Sequence, residues 1–156
     1  MIFEKATAEE IPALVDMRMA YIEEDHGGLS EDTRQKLISV LPEYFEKHLN
    51  KDIFVYTAKD GVIVSCAFLV ITEKPANPSF ITGRTGTVYN VYTLPNYRRK
   101  GLAKRVMQEL LSDAEKFGLD FVDLKATRDG YHLYDTLGFK ETVSEYTYMK
   151  KYFLSD

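Results

Sequence analysis

A group of basic residues lies where a predicted strand ends and a long predicted helix begins. Arg98, Arg99 and Lys100 precede Gly101, and Lys104 follows it inside the helix. Positive charges at the N-terminus of a helix oppose its dipole, each by about 0.3 kcal/mol or more. A bound anion would remove this conflict, because the N–H groups of a first helical turn bind phosphate and glycine allows its close approach. The pattern is typical of a phosphate or pyrophosphate site, and a solvated basic turn is the alternative interpretation.

The phosphate-binding motifs of two other protein classes are not found in the sequence. It has neither G-x-x-x-x-G-K-[ST], which binds nucleoside triphosphates, nor G-x-G-x-x-G, which binds dinucleotides. No set of His, Cys and carboxylate residues has the spacing of a metal site, so we expect no metal. The single cysteine, Cys66, lies in an apolar run and is interpreted as a buried, inert thiol rather than a nucleophile.

Length and composition exclude several classes of protein. The 156 residues, 45% hydrophobic and 28% charged, fit one globular domain over 1–156 rather than a disordered or fibrous chain. The net charge of -4 argues against a nucleic-acid-binding protein. There is no N-terminal signal stretch and no apolar run near the ~20 residues that cross a bilayer. We therefore expect a cytosolic protein with no membrane association.

Hydrophobic periodicity predicts the elements that position the basic loop. Two helices begin after Thr7 and Ser30, and Pro42 should kink or split the second. The amphipathic helix after the loop should end at Gly118, and a short helix spans Tyr131 to Leu137. The order β-α-α-β-β-β-α-β-α-β predicts an α/β fold of the α+β type, with helices on both faces of a mixed sheet. Its strands are predicted at Ile2 to Lys5, Ile53 to Thr57, Val62 to Ile71, Thr87 to Leu94, Phe121 to Ala126 and Val143 to Lys150.

Two motifs resemble those of a known family. Arg98-x-x-Gly101-x-Ala103, after a strand that ends at Pro95-x-Tyr97, is similar to the Q/R-x-x-G-x-G/A acetyl-CoA signature of the GNAT superfamily of N-acetyltransferases. Leu133-Tyr134-x-x-x-Gly138-Phe139 looks like the family's Leu-Tyr-x-x-x-Gly-Phe ending. The order of elements resembles the family over nearly the whole chain. This resemblance implies a three-layer arrangement with a mixed, mostly antiparallel sheet.

The resemblance also implies how acetyl-CoA binds. In the family, the strand that corresponds to Thr87 to Leu94 splays from the one at Phe121 to Ala126, and the pantetheine arm enters the gap. A main-chain N–H near Val91 would then polarise the thioester carbonyl. Thr127 lies where the family has an asparagine, and its hydroxyl is a further candidate contact. The other implied cofactor-binding residues are Val91, Tyr92, Thr93, Arg98, Arg99, Lys100, Gly101, Leu102, Ala103 and Lys104.

Transfer of an acetyl group to an amine needs an acid for the leaving thiolate and a base for the amine. Tyr134 matches the family's tyrosine position and is the candidate acid. Many family members carry a glutamate on the strand before the signature, whereas this chain has Tyr89 and Asn90 there. These two residues are candidate partners of a catalytic water. The alternatives are an acceptor amine of low pKa, or a base supplied by Glu23, Glu24 or His26.

The turn after the first helix is expected to wall the acceptor pocket, as it does in the family. Glu23, Glu24 and His26 are the candidate substrate contacts, because acidic residues attract a cationic amine. A solvated helix end is the alternative interpretation. Arg84, in a loop elsewhere, would instead favour an acceptor that carries a carboxylate. The acceptor therefore stays open among small amines, antibiotics, polyamines, peptide N-termini and protein lysines.

The residues and the resemblance together favour an acetyl-CoA-dependent N-acetyltransferase. It would move the acetyl group to a primary amine of a small molecule or peptide by direct transfer in a ternary complex, since no residue stands out as an acylated nucleophile. A non-catalytic acyl-CoA sensor of the same fold is the alternative, because the strand glutamate is missing. The aromatic residues near the C-terminus are compatible with a homodimer; they are Tyr146, Tyr148, Tyr152 and Phe153.

Overall fold

The computed structural model describes residues 1–154, and its elements follow the predicted order as far as the last helix. The strands are β1 (Ile2–Lys5), β2 (Ile53–Asp60), β3 (Val62–Glu73), β4 (Arg84–Thr93) and β5 (Val122–Asp123). The helices are α1 (Ile11–His26), α2 (Glu31–His48), α3 (Leu102–Lys116) and α4 (Tyr131–Thr136). Within residues 1–154, no helix combines the length and apolar character needed to cross a membrane.

The strands form one sheet in the order β1-β2-β3-β4-β5. Neighbours from β1 to β4 pair antiparallel, and β2 and β3 form the predicted hairpin. β5 pairs parallel with β4, because α3 carries the chain back across the sheet between the two strands. The predicted mixed, mostly antiparallel sheet is confirmed.

Helices cover both faces of the sheet, as the apolar strand sequences predict. α1 and α2 pack on one face through a cluster that includes Leu14 and Phe45, both fully buried. α3 packs on the other face through residues such as Val106. Successive residues of one strand serve the two faces, because side chains alternate: Val55 belongs to the first cluster and Tyr56 to the second. Burying each large apolar side chain stabilises the fold by about 1.5–3 kcal/mol.

β5 is shorter than predicted. The sequence favours a strand from Phe121 to Ala126, but only Val122–Asp123 is a strand. Its pairing with β4 ends at Thr87 and Asp123. Beyond this point the two segments diverge, and an apolar segment without a hydrogen-bonding neighbour does not form a strand. The divergence opens a cleft between β4 and the residues that follow β5.

A bulge in β4 faces this cleft. The register between β3 and β4 shifts between Cys66 and Phe68, where β4 holds an extra residue. Asn90 lies at the bulge with a φ of 55°, a left-handed conformation that asparagine tolerates better than most residues. Its side chain points into the protein and is only 3% exposed. The bulge therefore places a buried amide beside the cleft.

α2 is one continuous helix, so the predicted split at Pro42 does not occur. Proline removes the N–H that would bond to the carbonyl of Ile38. The fully buried Phe45 holds the following turn against the sheet. Ser30 caps the helix as predicted, because its Oγ accepts a hydrogen bond from the N–H of Thr33 (3.2 Å).

The predicted last strand is not found among the described residues. Val143 to Lys150 form neither strand nor helix, and Tyr146 and Tyr148 are 90% and 78% exposed. An alternating pattern indicates which side of a strand would be buried, but a strand forms only where a neighbour offers its N–H and C=O groups. The prediction of a strand over Val143 to Lys150 is therefore wrong.

Candidate active site

The cleft between β4 and the residues after β5 has a volume of about 620 Å³. α1 forms a further wall. Three parts of the chain line the cleft: Arg18, Tyr21, Ile22, Asp25 and His26 from α1, Thr87 to Val91 from β4, and Asp123 to Thr127 together with Tyr134. Because strand pairing stops at Thr87, the cleft is bordered by main chain without a strand partner.

A larger groove of about 930 Å³ lies beside β5, between α3, α4 and the residues from Leu137 to Thr142. Tyr134 borders both spaces. The bulge of β4 opens onto the smaller cleft, and α1 contributes charged side chains only to that cleft. We therefore place the chemistry in the smaller cleft.

The loop before α3 presents a row of main-chain N–H groups. From Arg99 to Lys104, these groups have no acceptor within residues 1–154. Arg99 and Gly101 both have positive φ, 62° and 76°, a conformation that turns successive N–H groups towards a common point. No side chain caps the first turn of α3. The arrangement fits an anion such as a pyrophosphate.

Gly101 is required for its conformation rather than for lack of space. A Cβ at this position would meet no atom within 4 Å, but the left-handed conformation costs a residue with a side chain about 1–2 kcal/mol. Gly118, just after α3, has a φ of 71° and equally open surroundings. The two glycines are matched in backbone conformation and differ in their place on the molecule.

The basic side chains of the loop are not equivalent. Arg98 donates two hydrogen bonds to the carboxylate of Glu24 (2.8 and 2.7 Å) and one from Nε to the carbonyl of Thr93 (2.9 Å). The guanidinium lowers the pKa of Glu24, and the carboxylate raises the pKa of Arg98. Arg98 thus ties the loop to α1. The other basic side chains of the loop are exposed; they are Arg99, Lys100 and Lys104.

The remaining predicted cofactor residues do not all line the cleft. Val91 lines the cleft, whereas Tyr92 and Thr93 lie outside its lining. The ring of Tyr92 packs edge-to-face on Tyr21, with centroids 6.3 Å apart. Leu102 is buried and anchors the first turn of α3, next to the partly buried Ala103.

Thr127 lines the cleft and also organises the start of α4. Its hydroxyl accepts a hydrogen bond from the N–H of Gly130 (3.1 Å), and its carbonyl accepts one from the N–H of Tyr131 (3.0 Å). These bonds orient the short helix that carries Tyr134. The predicted contact of its hydroxyl with a cofactor stays a prediction.

Tyr134 projects from α4 to the cleft. Its ring packs edge-to-face against Phe139, with centroids 6.0 Å apart. Burial, followed by the nearby phenol of Tyr21, raises the pKa of Tyr134 to about 12. The hydroxyl is therefore protonated throughout the physiological pH range and can donate to an atom in the cleft.

Gly130 sets the position of the Tyr134 ring, and sequence analysis missed it. A Cβ at Gly130 would lie 2.9 Å from Cε2 of Tyr134 and 3.2 Å from the Thr127 hydroxyl oxygen. The φ of Gly130, -84°, suits any residue. The contact with the ring, rather than the backbone, is what requires glycine here. The sequence carries no signal for this contact beyond a glycine before a short helix.

Tyr89 and Asn90 have different surroundings. Tyr89 is 49% exposed and lines the cleft, so its hydroxyl is accessible to water. The amide of Asn90 has protein partners: Oδ1 accepts from Arg18 (3.3 Å), and Nδ2 donates to the carbonyl of Met17 (3.4 Å). Asn90 therefore positions Arg18, and its contact with a catalytic water stays a prediction.

The three predicted substrate contacts are only partly brought together. His26 lines the cleft. Glu23 forms an ion pair with Arg34 of α2, and Glu24 forms the ion pair with Arg98. Both glutamates lie outside the lining of the cleft. Their charge is neutralised by arginines, which weakens their attraction for a cationic amine.

A basic residue in the cleft was missed by sequence analysis. Arg84, the predicted contact for a carboxylate, donates instead to the carbonyl of Phe117 (2.8 Å) at the start of β4. Arg18 of α1 lines the cleft. It follows the buried Leu14 and Val15 by four and three positions, so it lies on the buried face of α1. The sequence signal for Arg18 was a basic residue three and four positions after apolar residues of the same helix.

Within the described part of the chain, no three His, Cys, Asp or Glu side chains are grouped as metal ligands. Cys66 is fully buried, and burial raises the pKa of its thiol to about 12. The thiol is therefore neither accessible nor ionised at neutral pH.

Solved structures share this fold over nearly their whole length. The structure of a predicted acetyltransferase with acetyl-CoA from Clostridium acetobutylicum is 25% identical, with a TM-score of 0.81 over 96% of this chain and 95% of that one. A GCN5-related N-acetyltransferase from Ralstonia eutropha is 20% identical, with a TM-score of 0.80 over 95% and 97%. Glucosamine-6-phosphate N-acetyltransferase from Arabidopsis thaliana is 17% identical, with a TM-score of 0.65 over 98% and 99%. A search of curated protein sequences gave no match.

A family-level comparison covers the parts of the chain that form the cleft. The model of the acetyltransferase (GNAT) family matches residues 15–139. This span holds the loop before α3, the diverging strands β4 and β5, and Tyr134. The sheet topology agrees with the expectation drawn from the signature motifs. The chain therefore belongs to the GNAT acetyltransferase family.

Proposed function

We propose that this protein is an acetyl-CoA-dependent N-acetyltransferase that moves the acetyl group to a primary amine by direct transfer in a ternary complex. One observation carries the proposal: a loop with unbonded N–H groups, a strand that loses its neighbour and a protonated phenol occur together. Membership of the GNAT family and the Clostridium acetobutylicum structure with acetyl-CoA support the choice of acyl donor.

The residues present fit acetyl-CoA. The N–H groups from Arg99 to Lys104 suit the pyrophosphate, and the exposed Arg99 and Lys100 side chains add positive charge. The main chain of β4 beyond Thr87 has no strand partner on the cleft side, so it is able to bond to the amides of a pantetheine arm. Acetyl-CoA supplies the acetyl group as a thioester.

Tyr134 is the acid in this proposal. Its pKa of about 12 keeps the proton on the phenol oxygen at neutral pH. An amine that attacks the acetyl carbon expels a thiolate, and Tyr134 delivers its proton to the departing sulfur. Water then returns a proton to the phenolate. The ring contacts with Phe139 and Gly130 hold the hydroxyl in place for this step.

Direct transfer is supported by the state of Cys66, the only cysteine of the sequence. Its thiol is 0% exposed and has a pKa of about 12. A nucleophilic cysteine must reach the substrate as a thiolate. Cys66 fulfils neither condition, so the acetyl group has no cysteine carrier.

A water at Tyr89 is proposed to receive the proton of the amine. Glu24 is a weaker base than an ordinary glutamate, because the hydrogen bonds from Arg98 lower its pKa. Glu23 forms an ion pair with Arg34 and lies outside the lining of the cleft. Tyr89 is half-exposed on the cleft wall, where its hydroxyl is able to bind a water.

The test is the release of CoA thiol from acetyl-CoA by the purified protein, with and without a panel of primary amines. We expect at least one amine to raise the rate well above the amine-free rate, with the acetylated amine formed in equal amount. Binding of acetyl-CoA at one equivalent without any amine-dependent release would contradict the proposal. That outcome would favour an acyl-CoA sensor, the function suggested by the missing strand carboxylate.

A further inference from the structure

Arg18 places a positive charge on the α1 wall of the cleft. Within residues 1–154, no carboxylate oxygen lies within 4 Å of its guanidinium. Nη1 donates to Oδ1 of Asn90 (3.3 Å), and Cζ lies 6.0 Å from the centroid of the Tyr21 ring. The guanidinium is thus held by a neutral amide and an aromatic ring, and neither neutralises its charge.

Most acidic residues around Arg18 bond to other groups. A carboxylate that already has a partner competes less for a nearby guanidinium. The partners are Arg34 for Glu23, Arg98 for Glu24 and the hydroxyl of Thr87 (2.6 Å) for Asp123. Asp25 lines the same cleft with a side chain that is 45% exposed, and it forms no ion pair with Arg18. Arg18 keeps its charge available to a ligand.

Asn90 holds Arg18 in a defined position. The β4 bulge and a φ of 55° turn the Asn90 side chain into the protein. Its Nδ2 donates to the carbonyl of Met17 (3.4 Å), which directs Oδ1 towards Arg18. The amide is 3% exposed, so water competes little for these bonds. The guanidinium is therefore oriented before any ligand arrives.

From this geometry we infer that Arg18 binds a carboxylate of the acceptor, so that the acceptors are amines that also carry a carboxylate, such as amino acids. This inference rests on the proposed function. A guanidinium binds a carboxylate through two parallel hydrogen bonds and needs no second cation to do so. Arg18 precedes Tyr21 by about 4.5 Å along the helix axis. Tyr21 and Tyr134 line the same cleft as Arg18, so an amino acid bound at Arg18 shares the cleft with the proposed acid.

The test measures acceptor binding without transfer, by calorimetric titration of protein saturated with CoA, which has no acetyl group to give. The probes are the common L-amino acids, β-alanine and γ-aminobutyrate, each paired with its amide, and phosphoethanolamine. We expect at least one carboxylate to bind about 10- to 100-fold more tightly than its amide. Arg18→Gln should remove this preference. Arg84→Gln, which removes an arginine remote from the bulge, should retain it.

Three outcomes would overturn the inference: equal binding of acids and amides, an unchanged preference in Arg18→Gln, or tighter binding of phosphoethanolamine than of any carboxylate. Absence of binding by every carboxylate probe would overturn it as well. Failure of the proposed function gives a different result. In that case carboxylates bind through Arg18, yet acetyl-CoA releases no thiol when the same amines are added.

Discussion

The two parts of the proposed site, the loop before α3 and the α1 wall of the cleft, are built in different ways. The proposed cofactor side, from Arg99 to Lys104, presents main-chain N–H groups that one short stretch of sequence orients. The acceptor side presents side chains, and the central pair, Arg18 and Asn90, is separated by 72 positions. Main chain suits the part of acetyl-CoA that never changes, whereas side chains from distant segments can vary with the acceptor. We therefore expect general recognition of the acyl donor and specific recognition of the acceptor.

Mutations in the two parts of the site are expected to have different effects. Changes on the cofactor side should alter the affinity for acetyl-CoA. Changes around Tyr134 should alter the rate of transfer, and changes at Arg18 should alter the choice of acceptor. A substitution on one side that produced the effect expected of the other would break the division between the two.

The largest effect is expected from Tyr134→Phe. Loss of the phenol proton should lower kcat by about 10²- to 10³-fold, the usual contribution of a general acid. The Kd for acetyl-CoA should stay within about twofold, because the ring and its packing are retained. The matched control is Tyr131→Phe, on the same helix as Tyr134. It removes an exposed phenol that donates a hydrogen bond to Glu141, and it should keep the wild-type rate.

The pH profile supplies a second readout for Tyr134. Since burial raises its pKa to about 12, the proton is present below that pH and is lost only above it. The wild-type rate should therefore show no decline that depends on Tyr134 between pH 8 and about 10.5. A decline near pH 10 that Tyr134→Phe abolishes would show an unshifted phenol and contradict this assignment.

The next largest effect is expected from Gly101→Val. Valine at a φ of 76° should displace the N–H groups of the loop, and losing two charge-assisted hydrogen bonds weakens acetyl-CoA binding by about 100-fold. Gly118→Val carries a similar backbone cost at a φ of 71° and should leave the Kd unchanged. Calorimetry on both folded variants checks this, and an equal loss in both would remove the special role of the loop.

A smaller effect is expected from Gly130→Ala. The added Cβ at 2.9 Å from the Tyr134 ring should shift the hydroxyl and lower kcat about tenfold, since misplacement by 1 Å costs about 100-fold. The effect should vanish when Gly130→Ala is added to Tyr134→Phe, because no acid is left to misplace. If the two losses of rate are additive in the double variant, Gly130 does not act through the hydroxyl of Tyr134.

The features that could be predicted from the sequence have local causes. The loop before α3 could be predicted because Gly101, its basic neighbours and the amphipathic helix follow one another directly. The apolar sequence of each strand predicted that helices cover both faces of the sheet. These features depend on the composition of single segments, so one segment contains the necessary information.

The features that could not be predicted depend on whether two distant segments meet or separate. The length of β5 depends on where β4 diverges from it, and the expected last strand lacks a neighbour although its sequence alternates. Glu23 and Glu24 are acidic in sequence, but their charge is cancelled by Arg34 and by Arg98. Arg18 was missed because its proposed role depends on its having no carboxylate partner, and only the folded chain shows which arginines are paired.

Calorimetric titration of the purified protein with acetyl-CoA, with ATP and NAD as controls, tests the proposed site most directly. We expect one binding site that is selective for acetyl-CoA, because the loop and the diverging strands together match pyrophosphate and pantetheine. Well-folded protein that binds no acetyl-CoA, or that binds ATP and NAD equally well, would contradict the assignment of this cleft.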